Sequence, residues 1–159
     1  MTVNFSVRTT YDVSPQRLFD LLTDPAFLER KALDMGADVA KVTRHEELDG
    51  TLVLVTDVEE PAHWGKGQDH RTMTTRINPK TFDGTWVHRQ HGMEDRAKVE
   101  GSFRIVELGE SRCEYINEGA IEIRVPMMGK MIEKKIKAGI EKGTAKETAY
   151  IKRALLDAA

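Results

Sequence analysis

At 159 residues the chain has the length of one ordinary domain, and folding at that size hides roughly two-thirds of the surface an unfolded chain exposes, enough for one core. Hydrophobic residues at 40% and charged residues at 31% exclude a disordered composition. The 24 Lys and Arg against 26 Asp and Glu leave a net charge of -2, which argues against nucleic acid as the main partner.

Cys113 is the single cysteine, so an intramolecular disulfide is excluded and a reducing compartment is expected. The first residues lack a basic segment followed by an apolar run, and no apolar stretch reaches the length of a membrane span. The expected location is the cytoplasm.

Val3, Phe5, Val7, Thr9 and Tyr11 alternate with polar residues, the period of a strand with one buried face, and the strand ends at Asp12. Ser14 then stands where a helix cap belongs, Pro15 takes the first helical position, and Leu18, Phe19, Leu21 and Leu22 supply the apolar stripe. Asp24 and Pro25 repeat this entry for a second short helix, with Phe27, Leu28 and Leu33 facing inward and Gly36 closing it.

Strands are expected from Ala37 to Leu48 and from Thr51 to Glu59, joined at Asp49-Gly50 by a hairpin turn in which both central residues favour positive φ. Pro61 to Gln68 reads as a loop containing Trp64. Strands follow from His70 to Asn78 and from Thr85 to Gln90, and then around Val99 to Ile105 and Cys113 to Val125. After Pro126, Met128, Met131, Ile132, Ile136, Ile140, Ile151 and Leu155 recur at helical spacing to nearly the end. The lysines at 130, 134, 135, 137, 142 and 146 are interleaved with Glu133, Glu141 and Glu147, as on a solvated helix face with i to i+4 pairs.

The expected fold is therefore α+β: a seven-stranded antiparallel sheet, curved because flat sheets are disfavoured, gripping one long C-terminal helix, with two short helices between strands 1 and 2. No repeat or linker divides residues 1–159, so a single domain is expected.

This order, carried by the strand to Asp12, the entries at Ser14-Pro15-Gln16-Arg17-Leu18-Phe19 and Asp24-Pro25, and the last strand running through Pro126 into a long helix, resembles the START-like, pollen-allergen-like helix-grip superfamily of polyketide cyclases and lipid-transfer proteins. It is similar to uncharacterised bacterial START-like proteins. The resemblance implies a cavity for a lipid, isoprenoid or aromatic polyketide. On the alternation, Phe5, Tyr11, Met73, Trp86, His88, Phe103, Tyr115, Asn117 and Ile121 from the sheet, with Met128, Ile132, Ile136 and Gly139 from the helix, are the candidate ligand-binding residues.

Gly139 and Gly143 lie one turn apart, at a cost of roughly 1 kcal/mol each relative to alanine. They either admit close packing of the helix or leave volume for a ligand. Met127, Met128 and Met131 offer adaptable apolar surface, or ordinary core filling. His88 has two readings: a rim histidine, preferred because no partner carboxylate is evident, or an inward proton-transfer or hydrogen-bonding group. Asn117 needs a partner, either a ligand or neighbouring backbone.

No metal or other cofactor is expected. His88 and His91 lie three apart on a strand and face opposite sides, and His63, Asp69 and His70 lack further ligands at suitable spacing. No nucleophile elbow, phosphate loop or dinucleotide fingerprint is present. The function expected is binding or transport of a small hydrophobic molecule. The alternatives are a cyclase-type enzyme using His88 and a protein-interaction module using Trp64.

Overall fold

Alternation from Val3 onward produces β1 (Thr2–Tyr11), and the computed structural model, which describes residues 1–62, 65–124 and 130–157, pairs it antiparallel with the last strand of the chain. Ser14 Oγ accepts the Arg17 amide at 3.2 Å and opens α1 (Pro15–Leu22). Asp24 Oδ1 accepts the Ala26 amide at 3.1 Å and opens α2 (Pro25–Asp34). At the end of α2, Gly36 at φ 113° lets its own amide reach the Leu33 carbonyl and the Ala37 amide reach that of Ala32. Phe27 is buried as expected. Leu33 is 46% exposed, because it follows the solvent side of this short helix.

The chain continues as β2 (Val39–Glu46), β3 (Leu52–Pro61), β4 (Gln68–Asn78), β5 (Asp83–Gln90), β6 (Ala97–Gly109) and β7 (Arg112–Ile123), then α3 (Lys130–Asp157). The seven strands form one antiparallel curved sheet in the order β1-β7-β6-β5-β4-β3-β2. The turn at Asp49-Gly50 differs from the expectation. Only Gly50 has positive φ, its amide donates to Glu47, and Glu47 donates to Thr51, so the hairpin closes by a turn with a glycine bulge rather than two left-handed residues.

The core lies between the concave sheet face, the two short helices and the C-terminal part of α3, where Ile151 and Leu155 are buried against Leu18, Phe19 and Phe27. Three polar contacts fasten that part of α3 to α1 and α2. Arg17 donates to the Leu155 carbonyl at 2.5 Å, the Tyr150 hydroxyl to Asp34 at 2.5 Å, and Lys31 Nζ lies 3.0 Å from Glu147 Oε1. The interleaved charges of α3 pair as expected in Lys137–Glu133 at 3.2 Å, whereas Glu147 has left the solvated face for Lys31. Cys113 is fully buried, and burial pushes its thiol up to about 11, so it acts as a small apolar side chain. Among the described residues no helix is long and apolar enough to cross a membrane, which says nothing of a membrane β-barrel.

Candidate functional site

Between the concave face and the helices lies a cavity of about 480 Å³. Of the residues singled out in the sequence, Phe5, Met73, Trp86 and His88 line it from β1, β4 and β5, and Phe103, Tyr115, Asn117 and Ile121 line it from β6 and β7. Tyr11 instead lines a smaller adjoining pocket of about 60 Å³. There its hydroxyl bonds to Thr148, and burial, partly offset by that bond, pushes its pKa up to about 12.

On α3 the cavity meets Ile140, Gly143, Thr144 and Glu147 rather than the expected Ile132, Ile136 and Gly139. At 100° per residue, Gly143, Thr144 and Glu147 stay within about 60° of Ile140, while Gly139 is turned about 100° away and is exposed. Ile132 and Ile136 are half-buried, and Met131 is 73% exposed. Met128, Met127, Trp64 and His63 lie outside the described residues.

Glycines decide the shape of the floor. Gly101 of β6 and Gly119 of β7 face each other in register, and the Trp86 indole lies across them. A Cβ at Gly101 would come 2.5 Å from Trp86 Cζ2, and one at Gly119 2.8 Å from the same atom and 2.6 Å from Phe5 Cζ. Phe5 stacks on Trp86 with ring centroids 6.1 Å apart. The indole Nε1 then donates to Asn117 Oδ1 at 2.8 Å, so the half-buried amide finds its partner in a side chain rather than in strand backbone.

A cavity Cβ at Gly143 would meet no described atom within 4 Å, so this glycine leaves open volume rather than admitting a close approach.

Polar side chains interrupt the apolar lining. Lys31, 17% exposed, enters with its partner Glu147, and Thr56 and Thr75 contribute hydroxyls. Lys31 escaped the sequence reading, although it follows Phe27 by four and Leu28 by three on the inward face of α2, a spacing that marks it. Burial, helped by the negative Glu147 and by Tyr11, holds the Tyr115 hydroxyl well above its ordinary range, leaving it a protonated donor at neutral pH.

His88 turns out to be inward, half-buried and close to the Arg71–Glu60 ion pair of 3.0 Å. Burial first, and Arg71 second, push its pKa below the ordinary 6.5, with Glu60 opposing. The unfolded chain therefore takes up this proton before the folded one. The stability that depends on neutral His88 is complete above about pH 6.5 and declines as pH falls through the folded value. Urea unfolding of the protein and of His88→Gln from about pH 7.5 to 5 should show a shallower decline in the variant; curves of equal slope would refute this.

An antiparallel sheet folded around a long terminal helix over such a cavity is the helix-grip fold. The chain belongs to the family described as "Protein of unknown function (DUF2505)", whose model matches residues 6–155. Among solved structures it is similar to a START superfamily protein from Mycobacterium smegmatis, at 14% identity and TM-score 0.66 over 96% of this chain and 99% of that one. It is similar to the Zhui aromatase/cyclase from Streptomyces sp. R1128, at 11% identity and TM-score 0.66 over 97% and 93% of the two chains. It also resembles norcoclaurine synthase from Thalictrum flavum in complex with dopamine and hydroxybenzaldehyde, at 12% identity and TM-score 0.69 over 99% and 88%. At these identities the likeness is one of fold. No curated protein sequence matches the chain.

Proposed function

We propose that this protein, acting as a single domain in a reducing cytoplasmic compartment, binds or carries a small, mainly apolar molecule bearing one or two polar groups. The observation that carries this reading is the cavity of about 480 Å³ whose lining is aromatic and aliphatic, interrupted by Lys31–Glu147, Tyr115 and His88. Its volume falls in the roughly 300–1,000 Å³ range of small-molecule sites. Phe5, Trp86, Phe103 and Tyr115, stacked in two pairs, give the lining aromatic surface suited to a flat or aromatic ligand, and the polar groups would orient it. Similarity of fold to a START superfamily protein and to an aromatase/cyclase supports the class of ligand.

The test is displacement of a fluorescent fatty-acid or polyaromatic probe, with native mass spectrometry of the purified protein. Probe binding with a Kd below about 100 µM, lost on narrowing the cavity, is expected. Absence of binding by lipid, isoprenoid and polyaromatic probes alike would sink the reading.

A second reading is catalytic and rests on His88, which lines the cavity in its neutral form at pH 7 and so can accept a proton from a bound molecule. On this reading His88→Ala abolishes turnover of a bound substrate while sparing its affinity; on the carrier reading it alters affinity alone.

A further inference from the structure

On the convex face, opposite the cavity, three side chains with metal-ligating atoms meet. Strand alternation places Thr56, Met73 and His88 inside, and so turns Asp57 of β3, His70 and Thr72 of β4, and His91 just beyond β5 to the outside. The His91 amide donates to the His70 carbonyl at 2.9 Å, which makes the two histidines lateral neighbours. Their rings stack with centroids 3.9 Å apart and planes 5° from parallel. His70 Nε2 lies 3.0 Å from Asp57 Oδ1, and one ligand atom from each of the three residues falls within 4.8 Å of the other two.

We propose that Asp57, His70 and His91 form a surface site for a divalent transition-metal ion of the zinc class. Two imidazole nitrogens and one carboxylate are borderline donors that suit zinc, cobalt, nickel or copper, and not calcium or magnesium, which take oxygen shells. Around an ion with bonds of about 2.0–2.1 Å, neighbouring donors sit roughly 3.4 Å apart, so the present separations close by side-chain rotation alone. One ring must turn, because the lone pairs of parallel rings do not converge on a point.

The surroundings both support the ligands and hold hydrogen bonds that the ion replaces. The Thr72 hydroxyl donates to Asp57 Oδ1 at 2.5 Å and lies 2.8 Å from His91 Nε2, which holds the carboxylate in place as outer partners of metal ligands do. Arg89 donates to His91 Nδ1 at 3.3 Å and is itself paired with Glu94 at 3.2 Å, so an ion takes His91 through Nε2 in place of its hydrogen bond with Thr72. Lys41 and Glu59, opposite Asp57 and His70 in the strand register, carry opposite charges, and the Asp57 carboxylate supplies the attraction. His70 and Asp57 have side-chain exposures of 43% and 48%, and an ion held there keeps water in its remaining positions. The ligands come from two strands and the turn that follows a third, which is why no metal set was expected from linear spacing.

The experiment uses the full chain stripped with chelator and titrated with Co²⁺ alone and Zn²⁺ alone, followed by visible absorption and calorimetry. One ion per chain is expected. His70→Ala and His91→Ala each weaken it by roughly tenfold or more, while His45→Ala on β2 leaves it unchanged. Circular dichroism and cavity-probe binding report on folding, since the cavity lies on the other face. If His70→Ala fails to fold, His91→Gln, beyond the end of β5, carries the same test. No binding at about 100 µM metal, or equal binding by the wild type and the folded histidine variants, would overturn the proposal.

Discussion

Trp86→Ala is expected to lower stability by about 3–5 kcal/mol and the melting temperature by on the order of 10 °C. Three losses act together. The indole is 9% exposed and fills the space above two strands, so its removal leaves a void. Phe5 loses its stacking partner, and Asn117 Oδ1 loses the donor that satisfies it. The glycine beneath lets the indole contact be tested separately from the void. Gly101→Ala alone should cost about 1–3 kcal/mol by overpacking, since its new Cβ meets the Glu118 carbonyl first and the indole at 2.5 Å. With Trp86 already truncated, part of that obstacle is gone, leaving chiefly the Glu118 carbonyl. Chemical denaturation of both single variants and the double should therefore give a coupling of about 1 kcal/mol or more. Simple additivity would show that the Glu118 carbonyl, and not the indole, sets the cost at Gly101.

Gly143→Leu is expected to abolish binding of a cavity probe, weakening it about 100-fold or more, without loss of stability. Gly143 projects from α3 at a point where a Cβ meets no described atom within 4 Å, so a leucine there grows into the cavity. Replacing a helical glycine also gains up to about 1 kcal/mol of helix propensity, and filling a void adds apolar contact. Gly139→Ala is the control, because that position faces solvent: it should gain similar stability and leave probe binding unchanged. Probe titration and thermal unfolding on the same three proteins decide the matter. Retained binding in Gly143→Leu would place the ligand elsewhere, and an equal loss in Gly139→Ala would point to an effect on the helix as a whole.

Much of this molecule follows from local chemistry. Ser14, Asp24 and their following prolines start both short helices, Gly36 ends the second, and two-residue alternation lays out the strands, because caps, positive φ and side-chain period act within a few residues. The inward faces of β4 to β7 were legible for the same reason, and eight candidate residues from the sheet do meet around one cavity. Alternation names a face but not a neighbour. It cannot tell that Trp86 lies over Gly101 and Gly119, that Asn117 is satisfied by an indole, or that Glu147 leaves its lysine-rich helix face for Lys31. Helical spacing names a face of α3 but not which turns of that face lie over the cavity, and the lining falls on Ile140 to Glu147, a turn or more beyond the expected Ile132, Ile136 and Gly139. Contacts between strands and helices distant in sequence arise only when sheet curvature and helix placement bring them together. The lining of the cavity and the Asp57, His70 and His91 cluster both belong to that kind.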